Sequence, residues 1–351
     1  GAEIRITYPE SLSTDLFVDD PSGDVVSEAV YRVQMTVEER LGVTYAPVLL
    51  SGTRGEYSNQ IRTAFQSNSD VYDIIGDMIN FATQNVTFGV YTDLAATKYI
   101  DLSKPYWNQQ MANGFQVNGR VYACSGDANV SYLRQIQMML CHTKVASDYK
   151  IDTAEIQQAV LDGKWTAEMM KGYAMSVFSG ADPTSVNLDT DTVGLVCAER
   201  DHVTPMATAM NVMYYSPNDS GSYELTFGNA HAVDVVQWLV SLFNGNEHCV
   251  GTFTAATGES LNRNHLAFSS GRALFITACF DETASVYENI GGDYIVLPYP
   301  KWSEEDAYAT LSRGTHITSG IIRTCTDTDL ASAVLEAMAS TGSTYTTPAY
   351  F

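Results

Sequence analysis

The sequence has little charge and very little positive charge. Only 17% of its 351 residues are charged, and 19 lysines and arginines stand against 41 aspartates and glutamates, for a formal net charge of −22. Such a chain repels phosphate backbones and anionic lipid head groups, so nucleic-acid binding and membrane-surface binding are disfavoured. No apolar run approaches the roughly 20 residues of a membrane-spanning helix.

Cysteine and histidine are scarce, with six residues of each. No CxxC pair occurs, and no two cysteines or histidines have the spacing of zinc ligands, so we expect no metal and no cofactor. Cys124, Cys197 and Cys279 lie in apolar, strand-like segments. We therefore expect buried free thiols, although nothing in the spacing selects a disulfide pairing.

Catalytic motifs are missing as well. The sequence contains no nucleophile elbow, Walker loop, dinucleotide fingerprint or HExxH motif. A retaining glycosidase needs two carboxylates about 5 Å apart, and no such pair stands out among the 41 acidic residues. We expect that the protein is not an enzyme.

What the sequence does contain is enough apolar side chain for two packed cores. Hydrophobic residues make up 45% of the chain, and single cores stop growing at about 250–300 residues. The 21 tyrosines, 13 phenylalanines and four tryptophans suit a carbohydrate site, because aromatic faces stack on the apolar faces of sugars. Tyrosine also occurs in the strands of other α/β proteins, so this count alone selects no ligand.

The N-terminal part alternates between strand and helix patterns. Residues 3–8, 43–50 and 71–76 read as strands. Between the first two, apolar residues recur every three or four positions from Val26 up to Gly42, which predicts a helix that ends at the glycine. Strand–helix repeats of this kind predict a parallel α/β sheet.

The residues after the third strand are candidate ligand contacts. In parallel α/β sheets, ligands bind beyond the carboxyl ends of the strands. Gly76 ends the 71–76 segment and Asp77 and Met78 follow it directly, so we expect these residues at that edge. The alternative for Asp77 is that it caps the next helix.

Residues 117–149 form the most informative segment of the chain. An extended apolar stretch is interrupted by Ser125, Gly126 and Asp127, and then resumes as a second strand-like run. A strand that breaks and restarts in this way indicates passage from one lobe to another, with the glycine and its small polar neighbours as a flexible joint.

Two later segments carry similar signals. Residues 265–280 read as a helix end, a glycine turn at Gly271 and a strand that ends at Phe280. This order predicts that the Phe280 ring lies at the edge of a sheet, with burial in the core as the alternative. Residues 293–300 read as a strand whose exit carries Pro298 and Pro300, as suits a connector between lobes.

These segments, in this order, resemble the extracellular solute-binding proteins of family 1, the receptors of sugar-type ABC importers. The first crossover of that family reads G-(K/R)-x-Y-(A/G), which residues 119–123 match. Its second lobe carries F-x-x-G-(K/R/E)-x-A-(M/F), to which Phe268, Gly271, Arg272, Ala273 (one position early) and Phe275 correspond, and G-K-W-T, which residues 163–166 match. Trp165 is expected to be a packing anchor. The motifs are individually loose, but their order extends over residues 3–350.

The resemblance implies an α/β, two-lobed, periplasmic-binding-protein-like fold of type II with hinge strands between the lobes. Lobe 1 would comprise residues 1–128 and 296–351, and lobe 2, which is α/β and mostly helical, residues 129–295. Family members continue past a T-P-x-(Y/F) segment into helices that return to lobe 2. This chain stops at Phe351, so we expect those helices to be absent or not included.

The candidate ligand-binding residues combine the resemblance with the strand-end argument. They are Asp77 and Met78 from lobe 1, Asp127 and Asn129 at the hinge, Tyr214, Tyr215, Phe280 and Asp281 from lobe 2, and Arg313 near the final strand. Trp107 and Trp302 are further aromatic candidates, and ordinary packing is the alternative for both.

The resemblance also implies a function. The chain would capture a small solute between its lobes, with a mono- or oligosaccharide favoured, and would deliver it to the membrane subunits of an ABC transporter. Peptides, polyamines or an anion stay open, because the same fold hosts all of them. We expect a monomer that binds no nucleic acid.

The family's location and two other functions complete the expectations. The implied location is outside a bacterial cell, as a membrane-anchored lipoprotein or in the periplasm. The alternative functions are a secreted glycan-active enzyme and a non-transport ligand sensor or adhesion module.

Overall fold

A computed structural model of the chain describes residues 1–21, 23–114, 116–182, 185–218, 223–244, 248–251, 259–282, 290 and 292–351. Two compact units make up the chain. Unit 1 comprises Gly1–Gln135 and Gly314–Phe351, and unit 2 comprises Ile136–Arg313. Within the described ranges, no helix combines the length and the apolar character that a membrane crossing requires.

Unit 1 alternates strands and helices along its N-terminal part and ends in a long helix. Its elements are β1 Ala2–Pro9, α1 Val25–Leu41, β2 Val43–Leu50, α2 Arg54–Gln66, β3 Ile74–Met78, α3 Ile79–Thr87, α4 Gln109–Gly114, β4 Gln116–Val117, β5 Arg120–Val121, α5 Val130–Arg134, β14 Ile317–Ile321 and α12 Thr328–Tyr350. Strands β4 and β5 form a small hairpin.

The main sheet of unit 1 has the strand order β14-β3-β1-β2. β1 pairs in parallel with β2 and with β3, which confirms the predicted parallel α/β arrangement, and β14 pairs with β3 in the antiparallel direction. Helix α1 begins at Asp24, whose side chain accepts from the Ser27 amide, and ends at Gly42 in the left-handed conformation, as predicted. Its buried face, which includes Val33 and Val37, packs against α12.

The third strand starts and ends later than the sequence predicted. The strand begins at Ile74, directly after Asp73, whose carboxylate accepts from the Arg5 amide and guanidinium. From Ile74 the strand continues to Met78, because β14 pairs along its whole length. Asp77 and Met78 therefore lie within the sheet rather than beyond its edge.

Unit 2 is built around a second, mixed sheet. Its elements are β6 Gln137–His142, α6 Thr143–Asp148, α7 Thr153–Leu161, α8 Ala167–Met175, β7 Phe178–Ser179, β8 Thr192–Cys197, α9 Glu199–Ala209, β9 Tyr215–Pro217, β10 Tyr223–Leu225, α10 Ala230–Phe243, β11 Cys249–Gly251, α11 Glu259–Ser269, β12 Ala273–Cys279 and β13 Tyr294–Leu297.

The sheet of unit 2 has the order β11-β8-β12-β6-β13, with β7 paired to β8. β12 and β8 are parallel, and β6 runs antiparallel to both β12 and β13. The carboxyl ends of β8, β12 and β13 therefore lie at one edge of the sheet, next to the start of β6. Trp165 is fully buried and donates to the Pro298 carbonyl at 3.0 Å, which supports its predicted role as a packing anchor.

Helix α10 buries a different face from the one its sequence suggested. The sequence predicts a helix that Asn229 caps and Gly245 ends, and Asn229 does cap it by accepting from the Ala232 amide. The apolar stripe of Val233, Val236 and Val240 predicts the buried face, but these valines are 41–51% exposed. The interior is filled instead by Ala232, Val235, Trp238, Leu239 and Leu242. Gly245, the predicted helix stop, lies outside the described residues.

The unit borders fall later in the chain than the predicted lobe borders at residues 128 and 296. Asn129 and helix α5 lie inside unit 1, where the Ile317 amide donates to Ser131 Oγ. β13, around residue 296, pairs with β6 inside unit 2. The segment after Asp127 is thus a short helix before it is a strand.

The cysteines match their prediction. All six are free thiols, five of them buried and Cys325 half-buried. Burial raises the pKa of Cys124 to about 12, so this thiol stays protonated and unreactive at neutral pH.

Contact between α12 and the 126–128 turn gives a stability prediction. A Cβ on Gly342 would approach the Ala128 nitrogen to 2.5 Å and the Asp127 carbonyl carbon to 2.6 Å. Because both are backbone atoms, we expect Gly342→Ala to lower the free energy of unfolding of unit 1 by about 2 kcal/mol or more, as overpacked sites do. Urea unfolding followed by circular dichroism measures this.

The matched control is Gly55→Ala in α2. A Cβ there meets no atom within 4 Å, so this substitution should be neutral or stabilise by up to about 1 kcal/mol. Equal stability of the two variants would contradict the contact between α12 and the turn.

Candidate functional site

A groove in unit 1 brings together two of the predicted residues, Trp107 and Asp127. Its volume is about 340 Å³, and its walls come from the segment before α4, the 125–127 turn and α5. The lining residues are Pro105, Trp107, Asn108, Gln109, Gln110, Ser125, Gly126, Asp127 and Tyr132. Amides, an aromatic hydroxyl and a carboxylate thus meet around one concave surface, which is the mixture that polyhydroxylated ligands bind.

Close packing holds the turn that forms one wall of the groove. The Asn108 amide donates to the Ser125 carbonyl and the Asp127 amide to the Tyr106 carbonyl, each at 2.9 Å. Gly126 leaves no room for a side chain, because a Cβ there would lie 2.9 Å from that of Ala339 and 3.1 Å from the Trp107 ring. The turn is therefore closely packed on both sides.

Asn129 acts as a clamp on this turn. Its Oδ1 accepts from the Gly126 amide at 2.8 Å, and its Nδ2 donates to Ser319 Oγ at 3.0 Å. The side chain is 6% exposed. Both polar atoms of the amide are thus used inside unit 1, so Asn129 shapes the groove and does not line it.

Asp127 does line the groove, and it is half-buried there. Burial raises the pKa of its carboxyl group to about 6. Its backbone carbonyl accepts from Thr346 Oγ1 of α12, which fixes the residue at the wall of the groove. A carboxyl group at this wall is a candidate hydrogen-bond acceptor for a ligand hydroxyl.

The aromatic residues of the groove differ in accessibility. Trp107 is only 2% exposed, and its Nε1 donates to Glu336 at 2.9 Å, which supports the packing alternative. Tyr132, on α5, is half-buried, accepts from Asn108 Nδ2 and contacts the His316 ring edge-on at 5.3 Å. Tyr132 is therefore the more accessible ring, and the sequence analysis did not select it.

Asp77 and Met78 are buried in the sheet, at 1% and 4% exposure. Oδ2 of Asp77 accepts from Asn85 at 2.8 Å and from Tyr91 at 3.0 Å, while Oδ1 has no hydrogen-bond partner. Burial raises the pKa of Asp77 to about 6, although these two hydrogen bonds lower it. Asp77 does not cap α3 either, since the residue at the cap position is Met78.

In unit 2, the predicted residues Phe280 and Asp281 follow β12 at the carboxyl edge of the sheet. Phe280 is half-buried and its amide donates to the Ile136 carbonyl at 3.2 Å. Asp281 is exposed. The prediction that the strand places the Phe280 ring at the sheet edge agrees with this position.

Arg313 lies at the same edge, held by a buried carboxylate. Its guanidinium binds Oε1 of Glu282 and lies 3.3 Å from His202 Nε2. Glu282 is 7% exposed, and its Oε2 accepts from the Cys279 amide at 3.1 Å. About a quarter of the Arg313 side chain is exposed, so the residue presents fixed donors to solvent.

Two histidines complete this cluster. His265 Nε2 lies 3.4 Å from Glu282, and His202 Nδ1 lies 3.0 Å from the Tyr299 hydroxyl. Burial alone would raise the pKa of Glu282, but the hydrogen bond to His265 and the positive charges of His202 and Arg313 lower it to about 2. Among the described residues, no group of three or more His, Cys, Asp or Glu could hold a metal ion.

The sequence analysis missed Glu282, His202 and Tyr299. A usable signal existed, because each follows the carboxyl end of a strand in one sheet: His202 after β8, Glu282 after β12 and Tyr299 after β13. In unit 2, that rule was applied only to the strand that ends at Phe280.

Tyr214 and Tyr215 lie elsewhere in unit 2, and they are 49% and 59% exposed. Tyr214 stacks on Phe227 at 4.9 Å between ring centroids. Tyr214 and Phe227 line an apolar groove of about 380 Å³ between α9 and α10. Trp302 packs edge-on against Trp238 and His231 in the core of unit 2, as its packing alternative predicted.

The chain was compared with known proteins and solved structures. No protein-family model matches it, and no curated protein matches its sequence. UspC of M. tuberculosis is similar in structure with a TM-score of 0.66 and 12% identity, over 98% of this chain and 78% of UspC. The GacH receptor of Streptomyces glaucescens, solved unliganded and with acarbose, gives 0.59 and 13% over 99% and 79%.

A third solved structure is a cyclo/maltodextrin-binding protein in complex with maltotetraose. Its TM-score is 0.64 at 12% identity, over 97% of this chain and 76% of that protein. Likeness at these identities establishes the fold. The chain has the type II periplasmic-binding-protein fold of ABC substrate-binding proteins, which confirms the fold predicted from its motifs.

The buried Asp77 carboxyl gives a prediction about pH. Its pKa in the folded state, about 6, is above the unfolded value of about 3.9, so ionisation of Asp77 costs stability at neutral pH. We expect Asp77→Asn to raise the free energy of unfolding by about 2–3 kcal/mol above pH 7. The gain should shrink as pH falls through 6 and vanish near pH 4.

Urea unfolding between pH 4 and 8 measures this difference. Asp20→Asn, at an exposed position, is the control and should leave the curve unchanged. A gain from Asp77→Asn that does not depend on pH would show that the effect is not electrostatic.

Glu282 should behave in the opposite way. Its folded pKa of about 2 is below the unfolded value of about 4.3, so its charge stabilises unit 2 above about pH 4. We expect Glu282→Gln to cost about 3 kcal/mol at pH 7, because it leaves Arg313 without its carboxylate. The cost should fall as pH drops through 4 toward 2.

The matched control is the exposed neighbour Asp281. For Asp281→Asn we expect a change within about 0.5 kcal/mol in unfolding of the ligand-free protein. If Glu282→Gln is as stable as the wild type at pH 7, the ion pair with Arg313 contributes nothing to folding.

Proposed function

We propose that this protein is the solute-binding receptor of an ABC importer and that its ligand is a mono- or oligosaccharide. The observation that supports this proposal best is the likeness over nearly the whole chain to solved receptors. Two of them were solved with acarbose or maltotetraose bound. The motif order in the sequence supports the same function independently.

The unit 1 groove supplies chemistry that fits a sugar. Asp127 offers a carboxyl oxygen, Gln110 offers an amide, and Tyr132 offers an aromatic ring, while the Asn108 and Gln109 amides donate to Tyr132 and to backbone carbonyls and hold the wall in place. Sugar hydroxyls both donate and accept, so a mixed set of this kind satisfies them in pairs. Hydrogen bonds to a charged group contribute about 1.5–3 kcal/mol each, which makes Asp127 the strongest single candidate.

The edge of unit 2 supplies a second set of groups. Phe280 provides an aromatic surface, Asp281 an exposed carboxylate and Arg313 a guanidinium that Glu282 holds in place. A guanidinium with a fixed orientation loses little entropy on binding and presents paired donors to adjacent hydroxyls.

The proposal includes the partners and the location. The membrane subunits of the importer would take up the bound solute, and the receptor would act as a monomer. It would work outside the cytoplasm, as a lipoprotein on the cell surface or in the periplasm.

Binding assays test the function directly. We expect maltose, maltotriose, maltotetraose or another oligosaccharide of a screened panel to raise the melting temperature and to bind saturably in calorimetry. Asp127→Asn and Arg313→Gln should each weaken that binding about 10–100-fold. Arg323→Gln, in a separate part of unit 1, is the control and should leave the affinity unchanged.

Two outcomes would contradict the proposal. Release of shorter products during incubation with the oligosaccharides would indicate a glycan-active enzyme. If no sugar stabilises the protein but a peptide or polyamine does, the receptor function stands and the carbohydrate ligand is wrong.

A further inference from the structure

A second groove in unit 1, with a volume of about 290 Å³, gathers two arginines. Its lining residues are Val86, Gly89, Tyr91, Thr92, Asp93, Arg120, Tyr122 and Arg323. None of them lines the groove around Asp127. With only 19 cationic residues in a chain of net charge −22, two guanidinium groups on one concave surface form a local exception to the acidic character of the protein.

Backbone contacts position Arg323. It follows β14, and its amide donates to the Val90 carbonyl at 2.9 Å. Its guanidinium donates to the Gly89 carbonyl at 3.3 Å. Gly89 has a φ of +72°, and a Cβ there would approach the guanidinium to 3.3 Å. The glycine therefore lets the arginine lie against the backbone at the groove.

The β4–β5 hairpin positions Arg120. Asn118 and Gly119, both with positive φ, form its turn, and Arg120 is the first residue of β5. Its guanidinium interacts with the Tyr122 hydroxyl and, at longer range, with Asp93. The arginine and the tyrosine thus reach the groove from the same strand region.

Neither arginine forms an ion pair within the described part of the chain. The ion pairs found there use other cations, such as Arg5, Arg134 and Arg313. Asp93 is the acidic residue among those lining the groove, and its Oδ1 accepts from the Ala95 and Val121 amides at 3.2 Å. The lining side chains thus carry two positive charges and one negative charge.

We propose that this groove binds a carboxylate group. A planar carboxylate matches the paired donors of a guanidinium, and the hydroxyls of Thr92 and Tyr122 add neutral donors at the same surface. One carboxylate neutralises the excess positive charge. A phosphate dianion would exceed it and would meet the negative charge of Asp93.

The experiment follows the Nε–Hε resonances of the arginines in the full-length, ¹⁵N-labelled protein. Sodium acetate is added at pH 7 at constant ionic strength, with chloride as the counter-titration. We expect the Arg120 and Arg323 signals to shift along one saturation curve. The signal of Arg54, an exposed arginine on α2, should not follow that curve.

Variants connect the shifts to the groove. Arg323→Gln should weaken acetate binding at least about tenfold and abolish saturation of the Arg120 signal. Asp93→Asn keeps an oxygen acceptor for the two amides and removes the negative charge, so it should increase the affinity for inorganic phosphate more than for acetate. Circular dichroism of each variant confirms that it is folded.

Four results would overturn the proposal. They are linear, non-saturating shifts, equal shifts of Arg54, an unchanged affinity in Arg323→Gln, and tighter binding of phosphate than of acetate by the wild type. A further arm replaces acetate with a short peptide containing two glutamates. Tighter binding of this peptide assigns the carboxylate to a protein segment, and equal binding assigns it to a free small molecule.

Discussion

Hydrogen bonds between two distant segments of unit 1 are the constraint on which the groove around Asp127 depends. Cys124 and Ser319 exchange backbone hydrogen bonds, Ser125 Oγ donates to the Ile317 carbonyl, and the Ile317 amide donates to Ser131 Oγ. Asn129 adds a side-chain bond to Ser319, across 190 positions of sequence. The same hydrogen bonds therefore return the chain to the first sheet and shape the wall of the groove, because neither segment satisfies its polar groups alone.

A buried carboxyl group has opposite effects on stability in the two units. Asp77 is enclosed with an amide and a phenol as partners and no ion pair, so burial dominates its ionisation. Glu282 is nearly as buried, but an arginine and two histidines reverse the effect of burial. The first arrangement costs stability at neutral pH, and the second contributes to it. Glu282 contributes to stability and also holds the partly exposed Arg313 guanidinium in place. This arrangement suits recognition, because the guanidinium does not have to be ordered when a ligand binds.

The sequence predicted the fold well where local patterns decide the structure. The end of α1 at Gly42, the parallel pairing of β1 with β2 and β3, and the cap of α10 follow from residue chemistry within a few positions. It failed where a distant partner decides. β3 extends to Met78 because β14 pairs with it. In α10, the neighbouring elements decide which face is buried, although the valine stripe predicts a different face.

The same distinction explains how far the candidate site could be predicted. An error of two residues in the end of β3 turned a core aspartate into a candidate ligand contact, since one position in a strand changes what a side chain faces. Asp127 was found because its turn interrupts an apolar run. Tyr132 was missed because a five-residue helix stood where a strand was expected. Glu282 is only two residues from Phe280, but it was not selected. Its role depends on Arg313, which is 31 positions away and contacts it only in the folded chain.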